Sequence, residues 1–284
     1  MVNRPHAHPI RPSLAVPAAA LALGVAGVVA HRSASARFHG TVEALERTLL
    51  GSAPAFHVRR DLPAAIEGFA RRNAGIDGDW IEARPVAWCM DQGGAMRSEP
   101  DGPWLSFAAE QTIALRESGF VWFAEFDGPG PFDTRVVDAF VSDRGLLEAR
   151  IEGSLRVARV VGPEADIAEA CRYLAELPWT PLAILANQFV HWERLGDDLY
   201  GATVHTGAGP ATIHFHMWSG DIVRAEAEER MRAPGRYLPW RGTFSSYAQL
   251  GGVRVPLNGE VGWVEGGEYR PYWRGDVLAG RYAH

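Results

Sequence analysis

Short apolar stretches separated by turn sequences occupy the chain between residues 83 and 161. The turn clusters recur about every ten residues, a spacing that is typical of antiparallel hairpins and not of strands joined by helices. They are DQGG (91–94), SEPDGP (98–103), RESG (116–119), DGPGPFD (127–133), SDRG (142–145) and EG (152–153). The pattern therefore predicts an antiparallel sheet in this half of the chain.

One predicted strand, at residues 120–126, is apolar on both of its faces. Its side chains Phe120, Trp122 and Phe126 point one way, and Val121 and Phe123 point the other. Because a strand that is apolar on both faces must be covered on both, we expect a second layer there or a lumen filled by something apolar.

A helical pattern interrupts the strands at residues 162–187. Pro163 begins a first helix, whose acidic first turn suits the helix dipole, and Pro178 ends it. Thr180 is expected to cap a shorter second helix that ends at Asn187. This amphipathic insert is expected to cover a curved sheet.

The strand pattern resumes after the insert and continues to the end of the chain. The later strands are predicted at Phe189–Leu195, Leu199–Thr206, Ala211–Trp218, Ile222–Arg232, Trp240–Gln249, Val253–Val264 and Arg270–Ala279. Two earlier helices are predicted at Thr41–Leu50 and Asp61–Asn73, the second of them capped by Asp61. The fold class that follows is α+β, with a curved, mostly antiparallel, half-barrel-like sheet, a mid-chain helical insert and an N-terminal helix.

Residues 14–30 form an uncharged apolar run with arginines on both sides. The 17 residues of this run exceed a signal-peptide core of about 7–15 and fall short of a spanning helix of about 20. A cleaved export signal and an uncleaved membrane anchor stay open, and either places the bulk of the chain outside the cytoplasm. The expected organisation is a signal or anchor (1–36), a helix and linker (37–60), and a single β-rich domain (61–284).

Net charge, cysteine count and the lack of common motifs limit the partners and cofactors that we expect. The net charge of −6 provides no basic footprint for nucleic acid, so none is expected as a partner. The only cysteines, Cys89 and Cys171, are expected to be free thiols, with one disulfide as the alternative. The sequence holds no P-loop, dinucleotide fingerprint, HExxH, GxSxG or CxxC motif, and no cofactor is predicted.

Three histidines provide the best candidate for a metal site. If residues 207–210 form a four-residue hairpin loop, His205, His214 and His216 fall on one face of the hairpin. A slip of one residue in register would place His205 on the opposite face. The preferred interpretation is the polar face of a hairpin, and no metal site is predicted.

Carboxylates offer two candidate acid/base sets. Glu169, Arg172 and Glu176 share one face of the first inserted helix, either as a charge ladder or clamp, or as a buried catalytic set. Glu110 and Asp138 lie on predicted strands and would act as a pair if they met in a cleft.

The chain from about residue 61 to its end resembles an uncharacterised bacterial family, a domain of unknown function often preceded by a membrane segment. The matching motifs are GAMR (94–97), DGPWLSFAAEQ (101–111), GFVWFA (119–124), RYLAELPWTPLAIL (172–185), PWRGTFSSY (239–247), GGVRVP (251–256), EVGW (260–263) and PYWRG (271–275). The resemblance implies no activity. The layout is also weakly similar to the open half-barrel of periplasmic lipoprotein carriers, with helices over a concave apolar face.

Ten tryptophans favour either a plain aromatic core or the lining of an apolar cavity. The residues predicted to bind an apolar ligand are Phe120, Trp122, Trp179 and Trp273, with Arg97 and Arg274 at the mouth to neutralise an acidic head group. Stacking on tryptophan or pairing with strand carboxylates is the structural alternative for both arginines.

Three hypotheses of function follow. The first is a non-catalytic extracytoplasmic module that binds an apolar small molecule or lipid in a cavity between sheet and helix, with membrane contact through the N-terminal segment. The second is a hydrolase or isomerase that uses cavity carboxylates. The third is a structural envelope protein that acts through protein contacts.

Overall fold

The computed structural model describes residues 15–51, 53–75, 85–127 and 133–284, with the side chains of the first helix described from Ala30 onward. The helices are α1 (Ala15–Gly51), α2 (Ala64–Asn73), α3 (Pro163–Ala175) and α4 (Pro181–Ala186), with a 3₁₀ turn at Leu177–Trp179. The strands are β1 (Ala87–Met96), β2 (Leu105–Ala114), β3 (Phe120–Phe126), β4 (Thr134–Val141), β5 (Arg144–Ile151), β6 (Leu155–Val161), β7 (His191–Gly196), β8 (Leu199–Thr206), β9 (Gly209–Trp218), β10 (Asp221–Ala233), β11 (Arg236–Leu250), β12 (Val253–Glu265) and β13 (Glu268–Ala283).

The strands form one antiparallel sheet in the order β6-β5-β4-β3-β2-β1-β13-β12-β11-β10-β9-β8-β7. Each half of the chain is a meander, and the two halves join in the middle of the sheet where β1 pairs with β13. The sheet stays open between its edge strands β6 and β7. Since α3 and α4 form the connection from β6 to β7, the helical insert runs from one edge of the sheet to the other.

The sheet is strongly curved. Helix α3 contacts β4, β5 and β6 near one edge of the sheet and β8, β9 and β10 near the other. Strands from opposite ends of the sheet reach the same helix only if the sheet bends around it. The predicted α+β class, with a curved antiparallel sheet and a mid-chain helical insert, is therefore confirmed. We call the face toward α3 the inner face and the opposite one the outer face.

The outer face carries a second layer, as the two-faced strand β3 predicts. Helix α1 packs on β2, β3 and β4, and its Phe38 ring lies 6.1 Å from the Phe123 ring. The buried side chains of this layer are Phe38, Val42, Leu49, Ala114, Val121, Val137, Ala139 and Val141. The helix predicted at 41–50 is thus the end of a longer one. The domain boundaries stay a prediction, although part of segment 37–60 lies in this layer.

Two local predictions were wrong. The DQGG sequence at 91–94 does not end a strand, because β1 continues through it with a bulge between Asp91 and Gln92. Asp61 does not cap α2, whose N-cap is Pro63, since both Asp61 carboxylate oxygens accept hydrogen bonds from Arg59 at 2.8 and 2.7 Å.

Thr180 precedes α4 as predicted but makes no side-chain capping hydrogen bond. Cys89 and Cys171 are both free thiols, as expected.

Residues 14–29 of the predicted apolar run at 14–30 lie outside the residues whose side chains are described, and so do residues 128–132 of the predicted turn at 127–133. Across the described part of the chain, no helix combines the length and the apolar character needed to cross a bilayer.

Two tryptophan rings contact the inner face at positions where the sheet has glycine. A Cβ at Gly259 would stand 2.9 Å from Trp179 Cζ2, and one at Gly275 would stand 2.2 Å from Trp273 Cη2. Glycine is required at both positions because any side chain would displace the ring above it.

We expect Gly259→Ala to lower the free energy of unfolding by about 1–3 kcal/mol, because the added methyl group overpacks the site under Trp179. Denaturant unfolding followed by tryptophan fluorescence measures the change. Gly207→Ala is the matched control, since a Cβ there meets nothing within 4 Å. Equal stability of the two variants would contradict the tight packing of Trp179.

Candidate functional site

A continuous strip of aromatic rings crosses the inner face. Phe107 lies 5.7 Å from Trp122 and 5.8 Å from Trp273, and Trp179 lies 6.3 Å from Trp273 and 5.4 Å from Phe244. All five rings are buried. The four strand residues of the strip, Trp122, Phe107, Trp273 and Phe244, give the trough formed by the curved sheet an apolar floor from β3 to β11, and Trp179 of the helical insert packs on it.

The helical insert covers this floor. The indole of Trp179, in the 3₁₀ turn between α3 and α4, donates from Nε1 to the carbonyl oxygen of Pro256 at 2.8 Å. At the start of the insert, the buried Asp166 carboxylate accepts from the backbone N–H of Gly145 at 2.8 Å and pairs with Arg144 at 3.1 Å. The cover is therefore fastened to both halves of the sheet.

A largely buried arginine joins the centre of the cover to the floor. Arg172 of α3 donates from Nη1 to Asp138 of β4 and from Nε to Glu176 at 2.9 Å. Its guanidinium carbon lies 4.8 Å from the centre of the Phe120 ring and 4.9 Å from that of Trp122. The cation is thus held by two carboxylates and by the aromatic faces of β3.

Two glutamines extend this polar network into the sheet. Gln111 of β2 donates to Glu176, and Trp122 donates from Nε1 to Gln92 of β1 at 2.8 Å. On the opposite wall, Arg230 of β10 donates to the carbonyl oxygen of Ala168 on α3 at 3.3 Å. Polar contacts therefore tie α3 to β2, β4 and β10 within an otherwise apolar interface, and the bond from Trp122 to Gln92 lies within the sheet.

Glu169 and Asp138 form a carboxyl pair inside the network. Glu169 is 7% exposed and Asp138 is 6% exposed, and one buried oxygen of each (Oε2 and Oδ1) has no hydrogen-bond partner. Burial raises the pKa of Glu169 well above its usual range, and the Asp138 carboxylate raises it further. A hydrogen bond between two carboxyl groups requires a proton on one of them, and the raised pKa of Glu169 favours the proton on that side chain.

Four of the six predicted ligand-binding residues come together. Trp122, Trp179 and Trp273 belong to the aromatic strip, and Phe120 lies beside Trp122 under Arg172. Arg97 and Arg274 lie elsewhere: both stack on Trp104, at 4.8 and 4.6 Å from the ring centre, and Arg274 pairs with Glu260 at 2.7 Å. The ligand-binding role of all six stays a prediction.

The two carboxylate sets predicted as acid/base candidates have different outcomes in the structure. Glu110 is exposed and does not meet Asp138, whose neighbours are Arg172 and Glu169. Arg172 and Glu176 do not form a surface ladder, because both side chains are largely buried.

The three histidines share one face, although the loop has two residues and His205 pairs with Pro210. The register differs from the predicted one by two residues, which preserves the face. His216 is bonded to Glu226 and Arg224, as a polar face predicts. Within the described residues no three His, Cys, Asp or Glu side chains are grouped so that they could hold a metal ion.

Sequence reasoning missed three residues of the network: Gln92, Gln111 and Arg230. Gln92 was assigned to a turn, and only the bulge in β1 directs it toward Trp122. Gln111 and Arg230 stand at positions of otherwise apolar strand faces, and a polar residue at such a position is the signal that would identify them.

The chain belongs to the family DUF6544, a family of unknown function, whose model matches residues 57–275. Among solved structures it is similar to a LolA-superfamily protein from Nitrosomonas europaea, with 9% identity and a TM-score of 0.42 over 78% of this chain and 95% of that one. It is also similar to a beta-barrel-like protein with a domain of unknown function (DUF1849) from Brucella abortus, with 8% identity and a TM-score of 0.28 over 71% of this chain and 99% of that one. No curated protein sequence matches the chain.

We expect Glu169→Gln to reduce the pH dependence of stability. The native protein binds a proton on Glu169 that the unfolded chain releases above about pH 4.3, so this contribution is complete at lower pH and is lost as pH rises through the raised pKa. Glutamine keeps a donor toward Asp138 at every pH, and at pH 8 it should stabilise the fold by about 1–3 kcal/mol.

Thermal unfolding between pH 5 and pH 8.5 measures the effect. Glu67→Gln, at an ion pair on the surface of α2, is the control and should leave the slope unchanged. If the unfolding temperature of Glu169→Gln and that of the native chain changed with pH in the same way, Glu169 and Asp138 would share no proton.

Proposed function

We propose that the protein is a non-catalytic, membrane-anchored or exported binding protein that takes an apolar, lipid-like molecule between the curved sheet and the helical insert. The trough has an aromatic floor, a cover joined to both edges of the sheet, and a polar network at the contact between the two. The apolar run at 14–30 with its flanking arginines supports a place outside the cytoplasm, which subcellular fractionation tests.

The polar network carries this proposal. The insert fills the trough, so a ligand must displace it and occupy its place on the aromatic strip. Separating two apolar surfaces exposes their whole area to water, which costs free energy in proportion to that area. Arg172, Asp138 and Glu176 instead regain hydration when they separate, and this offsets part of the attraction that is lost. A cover held at its centre by ions therefore opens at a lower free-energy cost than one held by apolar contacts alone.

The start of the insert suits a moving cover. Gly162, the residue before α3, has a φ of 107°, and a Cβ at this position would meet nothing within 4 Å. Glycine adopts such backbone conformations readily, and the open space around it leaves room for rotation. The exposed contact of Glu164 with Tyr237, at 2.5 Å, is the nearest attachment that must be released.

A carboxylate-dependent hydrolase or isomerase is the second candidate. The observation that favours it is the meeting of Asp138 and Glu169 in a buried site with a raised pKa on one partner. Loss of turnover in Glu169→Gln with ligand binding unchanged would select it over the binding protein.

We expect lipid to co-purify with the gently extracted protein, and Trp122→Leu to lose it. Native mass spectrometry of the folded fraction measures bound lipid per chain. The matched control is Trp88→Leu, which removes an equally buried ring outside the strip. Both changes should destabilise the fold by about 3 kcal/mol, but only Trp122→Leu should lower the bound lipid.

Absence of lipid from the native chain would contradict the proposal, and so would equal losses in the two variants. Either result would leave the aromatic strip as plain core and favour the structural envelope module.

We expect Arg172→Met to raise the apparent affinity for a fluorescent fatty acid by about tenfold. Breaking a buried ion pair destabilises the closed state, and a larger open fraction strengthens the apparent binding in proportion. Glu176→Gln perturbs the same contact more gently and should act in the same direction. Fluorescence titration of cis-parinaric acid measures both.

Arg71→Met, at an exposed ion pair of α2, is the control for the loss of an arginine. Far-ultraviolet circular dichroism verifies that each variant keeps its sheet. Unchanged or weaker binding by folded Arg172→Met and Glu176→Gln would show that the network does not hold the trough closed.

A further inference from the structure

The outer face of the sheet carries a separate groove where β1, β13, β12 and β11 lie side by side. The cavity has a volume of about 410 Å³, within the range of about 300–1,000 Å³ typical of small-molecule sites. Its polar side chains are Thr243, Ser245, Asn258, Glu260, Arg274 and Asp276. None of them belongs to the aromatic strip or to the network around Arg172.

The strand register arranges these side chains in two parallel rows that cross the strands. One row consists of Ala95, Arg274, Glu260 and Thr243, which are successive cross-strand partners. The other consists of Gly93, Asp276, Asn258 and Ser245, which are paired in the same way. Each row therefore presents one polar position per strand from β13 to β11, at the strand spacing of about 4.8 Å.

A row of glycines separates the two polar rows. Gly94 pairs with Gly275, and Gly275 pairs with Gly259. A side chain at these positions would point to the inner face, where Phe107, Trp273 and Trp179 stand. The floor of the groove is therefore backbone, and its two walls are hydrogen-bonding side chains.

The two walls of the groove contain both hydrogen-bond donors and hydrogen-bond acceptors. Arg274 donates from Nε to Glu260 at 2.7 Å, and Asn258 donates to Asp276 at 2.5 Å, so each pair is oriented by its own bond. Thr243 and Ser245 add hydroxyl groups. One guanidinium against two carboxylates leaves no excess of positive charge, which disfavours an anionic ligand.

An aromatic ring extends the row that contains Arg274. Trp104 is half-buried, and the Arg274 guanidinium carbon lies 4.6 Å from its ring centre. Arg97 lies over the same ring at 4.8 Å, so the indole holds Arg274 in place at the end of its row.

We propose that this groove binds a neutral, polyhydroxylated chain, that is, an uncharged glycan laid across the strands. Such a chain offers many hydroxyl groups that both donate and accept, and its repeat along an extended backbone is close to the strand spacing of about 4.8 Å. The site is independent of the trough on the inner face, and it uses Arg274 in a role other than the one predicted from sequence.

Titration calorimetry of the full chain tests this with cellotetraose, chitotetraose and maltotetraose, and with tetragalacturonate as the anionic comparison. We expect at least one neutral tetrasaccharide to bind with a Kd of about 1 mM or tighter. Ser245→Trp fills the groove and should weaken that binding by at least about tenfold. His205→Trp, at an exposed position of the same sheet face on β8, is the matched control and should bind as the native chain does.

Asp276→Ala and Asn258→Ala provide a second measurement without added bulk, and each should also weaken binding if its fold is intact by circular dichroism. Failure of all three neutral tetrasaccharides to bind the native chain would overturn the proposal. It would also be overturned by stronger binding of tetragalacturonate, or by neutral binding that the three groove variants leave unchanged.

Discussion

The connection between β6 and β7 is the constraint on which the rest of the structure depends. These two strands are the edges of the sheet, and α3 and α4 must pass from one to the other. A flat sheet of this width would hold its edges too far apart for one short helix to contact both, because each strand adds about 4.8 Å. Contact of α3 with both ends therefore requires a curved sheet, and curvature creates an inner face that the insert occupies. The helical insert and the trough that it covers are therefore both consequences of the order of elements along the chain.

The charged groups between α3 and the sheet favour one particular position of the helix, which apolar contacts alone do not. A buried ion pair adds little net stability, because the desolvation of its members offsets most of their attraction. A buried ion pair does, however, make it unfavourable to separate the two charges while both stay shielded from water. Arg172 reaches Asp138 and Glu176 while it lies over Phe120 and Trp122, so a shifted α3 would leave a buried charge unpaired. The network therefore favours one position of α3 on the sheet. Within it, burial and the Asp138 carboxylate both raise the pKa of Glu169.

Local patterns were sufficient to predict most of the strands but not the network. Alternation and turn sequences placed β8 at Leu199–Thr206 and separated the two faces of β3 correctly, because those signals depend on neighbouring residues. The bulge in β1 was missed because consecutive glycines, which usually mark a turn, here allow close approach of Phe107 and β13. The meeting of Asp138 with Glu169 depends on how α3 sits on β4, and the layer made by α1 depends on a contact between distant segments. The two-faced pattern of β3 predicts a layer there but not that α1 supplies it, and no single segment encodes the contact of Asp138 with Glu169.

The glycines in the middle of the sheet connect its two faces physically. At Gly94, Gly259 and Gly275 the absent side chains make room on the inner face for aromatic rings pressed against the backbone. The same row leaves the outer face with a backbone floor between two polar walls. Tight packing on one side and a groove on the other are thus consequences of a single sequence feature. A larger residue in this row would first displace the inner rings, and any effect on the outer groove would follow from the shifted backbone. The aromatic strip and the groove therefore have separate contacts but a shared scaffold.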